Sequence, residues 1–363
     1  MTEVPSRAAT APAISLALDG PDISPRAYAR LLAELTEKAE VGRDSYGLGG
    51  VVAEFEARMA KELGKERAIV MPTGTLANNL ALDLLCDRNR RRVLAQGDGH
   101  IYNDVGDSAP RLHDVVLIPL QDKGAGFSVE AMQAALDRAA SARVAVPFAA
   151  AVVETPVRRR FAQMITLADM DAAVGFAKDH GLKLHLDGAR VYLASAWTGR
   201  GVGDFCAPFD TVYVSLYKYF GAPFGAVLAG PADLIDGLYH DRRRHGGGLN
   251  HVWQIALVAG HFLDGMEQRW RQVKDMAEPG WRRLEASGRF TIERIPDGSN
   301  IVKLRLAGAK GDGEALKAFR GRAEAAGFRM PEPAGDALPV RANETWLAAG
   351  PEEIANRLIA AVG

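Results

Sequence analysis

The chain has 363 residues, 48% of them hydrophobic and 25% charged, with a formal net charge of −1. This is ordinary for a globular enzyme, leaves room for two domains, and gives no overall electrostatic pull toward nucleic acid or anionic lipid. No apolar run approaches the roughly 20 residues that span a bilayer, the first residues lack the basic-then-apolar order of a signal peptide, and two distant cysteines, Cys86 and Cys206, allow neither a disulfide framework nor a CxxC metal site. A cytoplasmic protein is expected, with both cysteines as small core residues.

In chain order, residues 1–20 read as an irregular arm. Ser24-Pro25 opens a helix carrying Leu31, Leu32 and Leu35 at helical spacing. Residues 41–50 are glycine-rich and turn-like. A helix over 52–63 is stopped by Gly64, a short apolar run over 68–71 ends at Pro72, and a helix follows over 76–85. Further apolar runs at 93–95, 115–119, 149–153, 183–186, 211–216 and 225–228 read as strands, with a helix over 170–181. The alternation predicts an α/β fold with a mostly parallel sheet and helices on both faces. Beyond residue 265 a long helix over 262–285 leads to strands at 290–295 and 301–306, a helix near 314–326 and a last helix over 351–362. The expected division is an arm and first helix over 1–45, a large domain over 46–265 and a smaller C-terminal α+β domain over 266–363.

Ligands of open α/β sheets sit beyond the carboxyl ends of the strands. Four such ends carry chemistry. Lys218 follows the apolar run from Tyr213 to Leu216. A lysine held there and partly buried titrates below its ordinary value and forms Schiff bases with carbonyls, including pyridoxal phosphate; alone, it also reads as a surface lysine. Asp187 ends another strand and would face a pyridinium nitrogen, keeping it protonated; alone, it also reads as a helix N-cap. Between the strand at 68–71 and the next helix, Thr73, Gly74 and Thr75 offer amides and hydroxyls to a phosphate, or simply cap the helix. His100, after the strand at 93–95, would stack on the cofactor ring or serve as a structural hydrogen-bonder. A phosphate cup, a carboxylate and a lysine on successive strand ends together point to pyridoxal phosphate.

These residues resemble the threonine aldolase/β-eliminating lyase family, of the fold-type-I pyridoxal enzymes. The likeness runs from about residue 42 to 265. It rests on Ser45-Tyr46-Gly47, on Pro72-Thr-Gly-Thr-Leu-Ala-Asn78, on His185-Leu-Asp-Gly-Ala-Arg190, on Ser215-Leu-Tyr-Lys218 with the Phe220–Gly225 turn, and on Gly246-Gly-Gly248. The resemblance implies a Schiff base on Lys218, Tyr46 lining the active site, Ser215 and Arg190 near the cofactor, and Arg341, with Arg190, binding the substrate carboxylate. It implies a small amino-acid substrate, a homodimer or homotetramer with sites at the subunit interface, and no nucleic-acid or membrane partner.

Three departures fall on the substrate side. The family's histidine after Glu-Asn-Thr is absent, and Arg158, Arg159 and Arg160 follow Val153-Glu-Thr-Pro-Val157 instead. The stretch Leu16-Ala-Leu-Asp-Gly-Pro21 lacks the usual serine. Leu249-Asn250 replaces Met-Arg. The arginine run reads as a solvated loop, a subunit contact or a reader of an anionic substrate group. The expected reaction is aldol cleavage of a β-hydroxy-α-amino acid such as threonine, with His100, His113, Tyr46 or water as the base replacing the missing histidine. β-Elimination, a silent protein retaining the fold, and a serine acyl-enzyme built on Ser215-x-x-Lys218 are the alternatives.

Overall fold

The computed structural model describes residues 14–38, 40–308, 311 and 313–363. In chain order its strands are β1 (Ile14–Ser15), β2 (Arg67–Met71), β3 (Arg92–Gln96), β4 (Val116–Leu120), β5 (Phe148–Glu154), β6 (Lys183–Asp187), β7 (Thr211–Ser215), β8 (Ala226–Gly230), β9 (Phe290–Arg294), β10 (Ile301–Leu306), β11 (Phe328–Arg329) and β12 (Leu338–Arg341). Seven form the central sheet in the order β2-β8-β7-β6-β5-β3-β4. The strands from β7 to β4 in that order are parallel, and β8 runs against both of its neighbours. Every residue of β5, β7 and β8 is buried. Such unbroken apolar runs, rather than alternation, mark a sheet covered on both faces. The architecture is α/β with a mainly parallel sheet, as expected.

The first three helices are α1 (Pro25–Lys38), α2 (Gly50–Glu62) and α3 (Gly74–Leu85). The Ser24 hydroxyl accepts the Ala27 amide at 3.2 Å at the start of α1, and the Thr73 hydroxyl accepts the Leu76 amide at 3.1 Å at the start of α3. Each satisfies a donor that the first helical turn leaves free.

Two expectations are corrected, and one strand was not foreseen. The arm is not irregular throughout: residues 1–13 lie outside the described residues, but Ile14–Ser15 form β1, parallel to β11. A two-residue strand has no period to read, and its partner lies near the other end of the chain. The single long helix is two, Trp253–Leu263 and Met266–Ala286, broken at Gly265 with φ 67°. β12 is a strand despite Pro339; it lies at the edge of the antiparallel sheet β12-β10-β9, where a missing amide is tolerated.

The N-terminal segment joins the two halves. The Arg341 amide donates to the Leu16 carbonyl at 3.0 Å, and Asn343 Nδ2 donates to the Ser15 and Leu18 carbonyls at 2.9 and 2.7 Å. The chain then crosses the lysine turn so closely that a Cβ on Gly20 would overlap the Lys218 carbonyl and Tyr219 Cα.

Candidate active site

β7 delivers the lysine. It ends at Ser215, a short helix (Leu216–Tyr219) follows, and Lys218 points into a cavity of about 600 Å³ at the carboxyl edge of the sheet. The next two residues anchor the turn. Tyr219 and Phe220 are fully buried, and Tyr219 packs edge-on against Trp270 and Tyr192 with centroids 5.5 and 5.9 Å away. Burying rings of this size contributes about 2–3 kcal/mol each. Burial lowers the Lys218 amine to about 8, and the nearby Arg190 charge adds to the shift. A larger share of neutral, nucleophilic amine is therefore present near neutrality than on an exposed lysine.

Asp187, at the end of the adjacent β6, lines the same cavity and is 2% exposed. One carboxylate oxygen accepts Asn78 Nδ2 at 2.8 Å and the other accepts the Ala189 amide at 3.2 Å. Asn78 Oδ1 faces His185 Nε2 at 2.9 Å, and His185 Nδ1 faces the Thr211 hydroxyl at 2.9 Å. Because the Asn78 amide nitrogen is committed to the carboxylate, its oxygen must accept. His185 therefore carries its proton on Nε2, and Nδ1 accepts from Thr211. Complete burial holds this imidazole neutral, lowered to about 4. The relay from Thr211 to Asp187 fixes the carboxylate and leaves no mobile charge behind it.

Asn78 lies on α3, so the same relay ties Asp187 to the helix that starts at Thr73-Gly74-Thr75. Gly74 packs against the Tyr213 hydroxyl, which a Cβ would strike, and Tyr213 lines the cavity. The three predicted phosphate residues thus flank the cavity through Tyr213 rather than lining it. Thr73 is exposed, Gly74 is buried and Thr75 lies between.

His100 begins a short helix (His100–Asn103) and lines the cavity. Its Nδ1 is 3.1 Å from Asp104 Oδ2. Asp104 also takes Arg158 Nη1 at 2.9 Å and Arg159 Nε and Nη2 at 3.1 and 2.7 Å; the Arg159 hydrogen bonds foremost hold its carboxyl down to about 2. Arg160 pairs with Asp98 at 2.6 Å. The arginine run is therefore neither merely solvated nor idle: all three side chains bind acids of the segment that carries His100. Glu154, at the end of β5, joins the same two loops, accepting the His100 amide at 2.6 Å and the Arg158 amide at 2.9 Å. Burial, reinforced by Asp187, pushes its carboxyl up.

Arg190 and Arg341 converge on one carboxylate of this chain. Arg190 Nε and Nη2 meet Asp19 Oδ2 at 2.9 and 2.8 Å, and Arg341 Nε meets Oδ1 at 3.3 Å. Burial alone would raise Asp19; the two guanidiniums outweigh it and hold the carboxyl below the usual range. The Leu16–Pro21 stretch, noted above for its missing serine, thus brings a carboxylate instead.

The remaining predicted residues lie elsewhere. Tyr46 is not at the cavity of its own chain. Its ring sits under Arg243, 4.3 Å from the guanidinium carbon, and its backbone is pinned at φ 54° by the Asn250 carbonyl and Arg242 Nη2. His113 stacks on His245 at 4.7 Å and faces Asp83 at 3.5 Å, so it is not a base for this site. Ser215 is buried at the end of β7 beside Tyr213. Asp19, Glu154, Tyr213 and Tyr217 line the cavity without having been singled out. For Tyr213 the signal was Gly74, the only residue small enough to lie against its ring.

The beta-eliminating lyase family model matches residues 28–306. The chain is similar to low-specificity L-threonine aldolase 1 of Arabidopsis thaliana, 29% identical over 247 residues that cover 66% of this chain and 68% of that one. It is also similar to alanine racemase TOXG of Cochliobolus carbonum, 28% identical over 250 residues covering 67% and 61%. The structure of a threonine aldolase from Leishmania major shares its fold with TM-score 0.74 at 19% identity, over 96% of this chain and 98% of that one. With the lysine, carboxylate and helix start gathered on one sheet edge and the family model matched over most of its length, the chain belongs to the beta-eliminating lyase family.

Proposed function

We propose that this chain is a pyridoxal-phosphate-dependent lyase that cleaves the Cα–Cβ bond of a β-hydroxy-α-amino acid, giving glycine and an aldehyde. The observation that carries the reading is the placement of the Lys218 amine and the buried Asp187 carboxylate on adjacent strand ends of one cavity. The residues fit the cofactor. Lys218 would be the covalent attachment point and Asp187 would pair with the pyridine nitrogen, while the start of α3, which stands behind Tyr213, would favour the phosphate through its helix N-terminus. When bound, the cofactor supplies an electron sink for the pair released at Cα.

The chain's own groups do the rest. Arg341 and Arg190 share one negative charge, Asp19, and so retain one positive charge for the substrate carboxylate. The hydrogen bond to Asp104 orients the His100 ring and leaves Nε2 open to the cavity, where it takes the β-hydroxyl proton. Tyr46 serves a neighbouring subunit in this reading, as part of a homodimer or a dimer of dimers. Exposed Leu48, Tyr102, Tyr217 and Phe224 support an interface here, because each lies close in sequence to a site residue.

The test is the visible absorbance of protein incubated with pyridoxal phosphate, before and after borohydride, with the labelled residue mapped, followed by aldehyde release from L-threonine and L-allo-threonine. A band that borohydride bleaches onto Lys218, together with aldehyde, supports the reading. Colour with alanine racemisation or β-elimination but no aldehyde moves it to another reaction at Cα. Absence of colour sinks it.

A further inference from the structure

Two arginine pairs border the cavity, each sharing a single aspartate, and one arginine of each pair, Arg190 and Arg158, lines it. Arg190 and Arg341 share Asp19. Arg158 and Arg159 share Asp104. Each trio carries one surplus positive charge. The first surplus is matched by the α-carboxylate of any amino acid. The second has no counterpart in a substrate such as threonine.

The second trio is also asymmetric. Arg159 is spent on Asp104 through two donors to one oxygen, whereas the Arg158 side chain makes one hydrogen bond among the described residues. Arg158 lines the cavity with Lys218 and has a side chain 56% exposed. Its backbone amide is anchored by Glu154 at 2.9 Å, and its guanidinium is tethered at the cavity by the Asp104 hydrogen bond at 2.9 Å. It lies near enough to Arg341 for the two charges to repel, and a shared anion between them would relieve this.

We propose that Arg158 is a specificity-determining residue that binds a second carboxylate, on the substrate's Cβ, so that the enzyme prefers β-hydroxy-α-amino dicarboxylic acids. This rests on the lyase reading above. For 3-hydroxyaspartate the balance closes without a further reactant. The β-hydroxyl loses its proton, its O–H pair becomes the carbonyl π bond of glyoxylate, and the Cα–Cβ pair remains on Cα and takes up a proton to give glycine.

The experiment titrates the pyridoxal-phosphate-loaded enzyme with each enantiomer of aspartate and of asparagine. These lack a β-hydroxyl and differ only in the charge that Arg158 would read. Binding is followed by the visible band, and glyoxylate release from 3-hydroxyaspartate is measured beside acetaldehyde from threonine. The wild type binds aspartate about tenfold tighter than asparagine, the low end for a charge-assisted hydrogen bond because Arg158 is half exposed. Arg158→Gln brings the ratio close to one, and Arg158→Lys keeps part of it. Taking the ratio within one protein cancels any loss of folded material. A wild-type ratio near one, with threonine cleaved, overturns this inference and leaves the lyase reading standing, as does a ratio unchanged in Arg158→Gln. If no amino acid perturbs the band, the lyase reading fails and the inference with it.

Discussion

The two sides of the cavity are built differently. The side holding Lys218 and Asp187 comes from adjacent strands of one buried sheet, cross-braced by Asn78 and His185. The side holding Asp19, Arg341 and Arg158 comes from the N-terminal segment, the edge of a second sheet and a loop after β5, joined by ion pairs. Reactive geometry thus rests on backbone ladders that side-chain changes barely move. The groups facing the substrate rest on charges that a single substitution can release.

Breaking the contrast should cost most at Asp19. Asp19→Ala removes the one carboxylate between two largely buried guanidiniums, and stability in urea should fall by about 3–5 kcal/mol. A loss under 1 kcal/mol would show that the substrate side is no more charge-dependent than the sheet. Next comes Asp187→Ala, which should lower kcat/KM at least about a hundredfold while denaturing at a midpoint close to wild type, apart from about 1–3 kcal/mol for the unpaired Asn78 amide. Equal losses of stability at both aspartates would erase the distinction.

A smaller effect follows from His185. Its folded-state titration lies below its unfolded one, so the unfolded chain binds the extra proton between about pH 6.5 and 4. Its contribution to stability is complete above about 6.5 and is lost as pH falls toward 4, at no more than about 1.4 kcal/mol per pH unit. Urea midpoints measured across that range should flatten in His185→Gln; an unchanged slope would mean that other groups set it. The smallest effect expected is at Arg190. Arg190→Gln removes a charge that depresses the Lys218 amine, so the pH dependence of cofactor attachment should shift upward. A downward shift would mean that Asp19, without its partner, takes up a proton and no longer supports the Lys218 charge.

The same contrast explains what could be read from the chain alone. Asp187 and Lys218 were readable because a strand end fixes its last side chain locally, whatever the rest of the molecule does. Gly74 was placed at its helix start by the turn before it, but not behind Tyr213, which no local pattern shows. Asp19 was not, because its two partners lie far along the chain and no local pattern links them. The roles of Arg158 and Arg159 were left open because Asp104, the acid that binds both, looks like an ordinary loop residue. Tyr46 lies in a tight glycine turn, as expected, and away from the cavity of its own chain; a turn's conformation does not say which way it faces. β12 was hidden by Pro339, and β1 by its length.

The route of the N-terminal segment also sets a timetable. Ser15, Leu16 and Leu18 are held by Arg341 and Asn343, with 328 positions between Ser15 and Asn343. During synthesis the sheet carrying Asp187 and Lys218 can pair before those residues leave the ribosome. Asp19, made among the first, cannot take its final place until the last sheet is complete. A nascent or truncated chain would thus own a lysine edge while lacking the means to select what binds there.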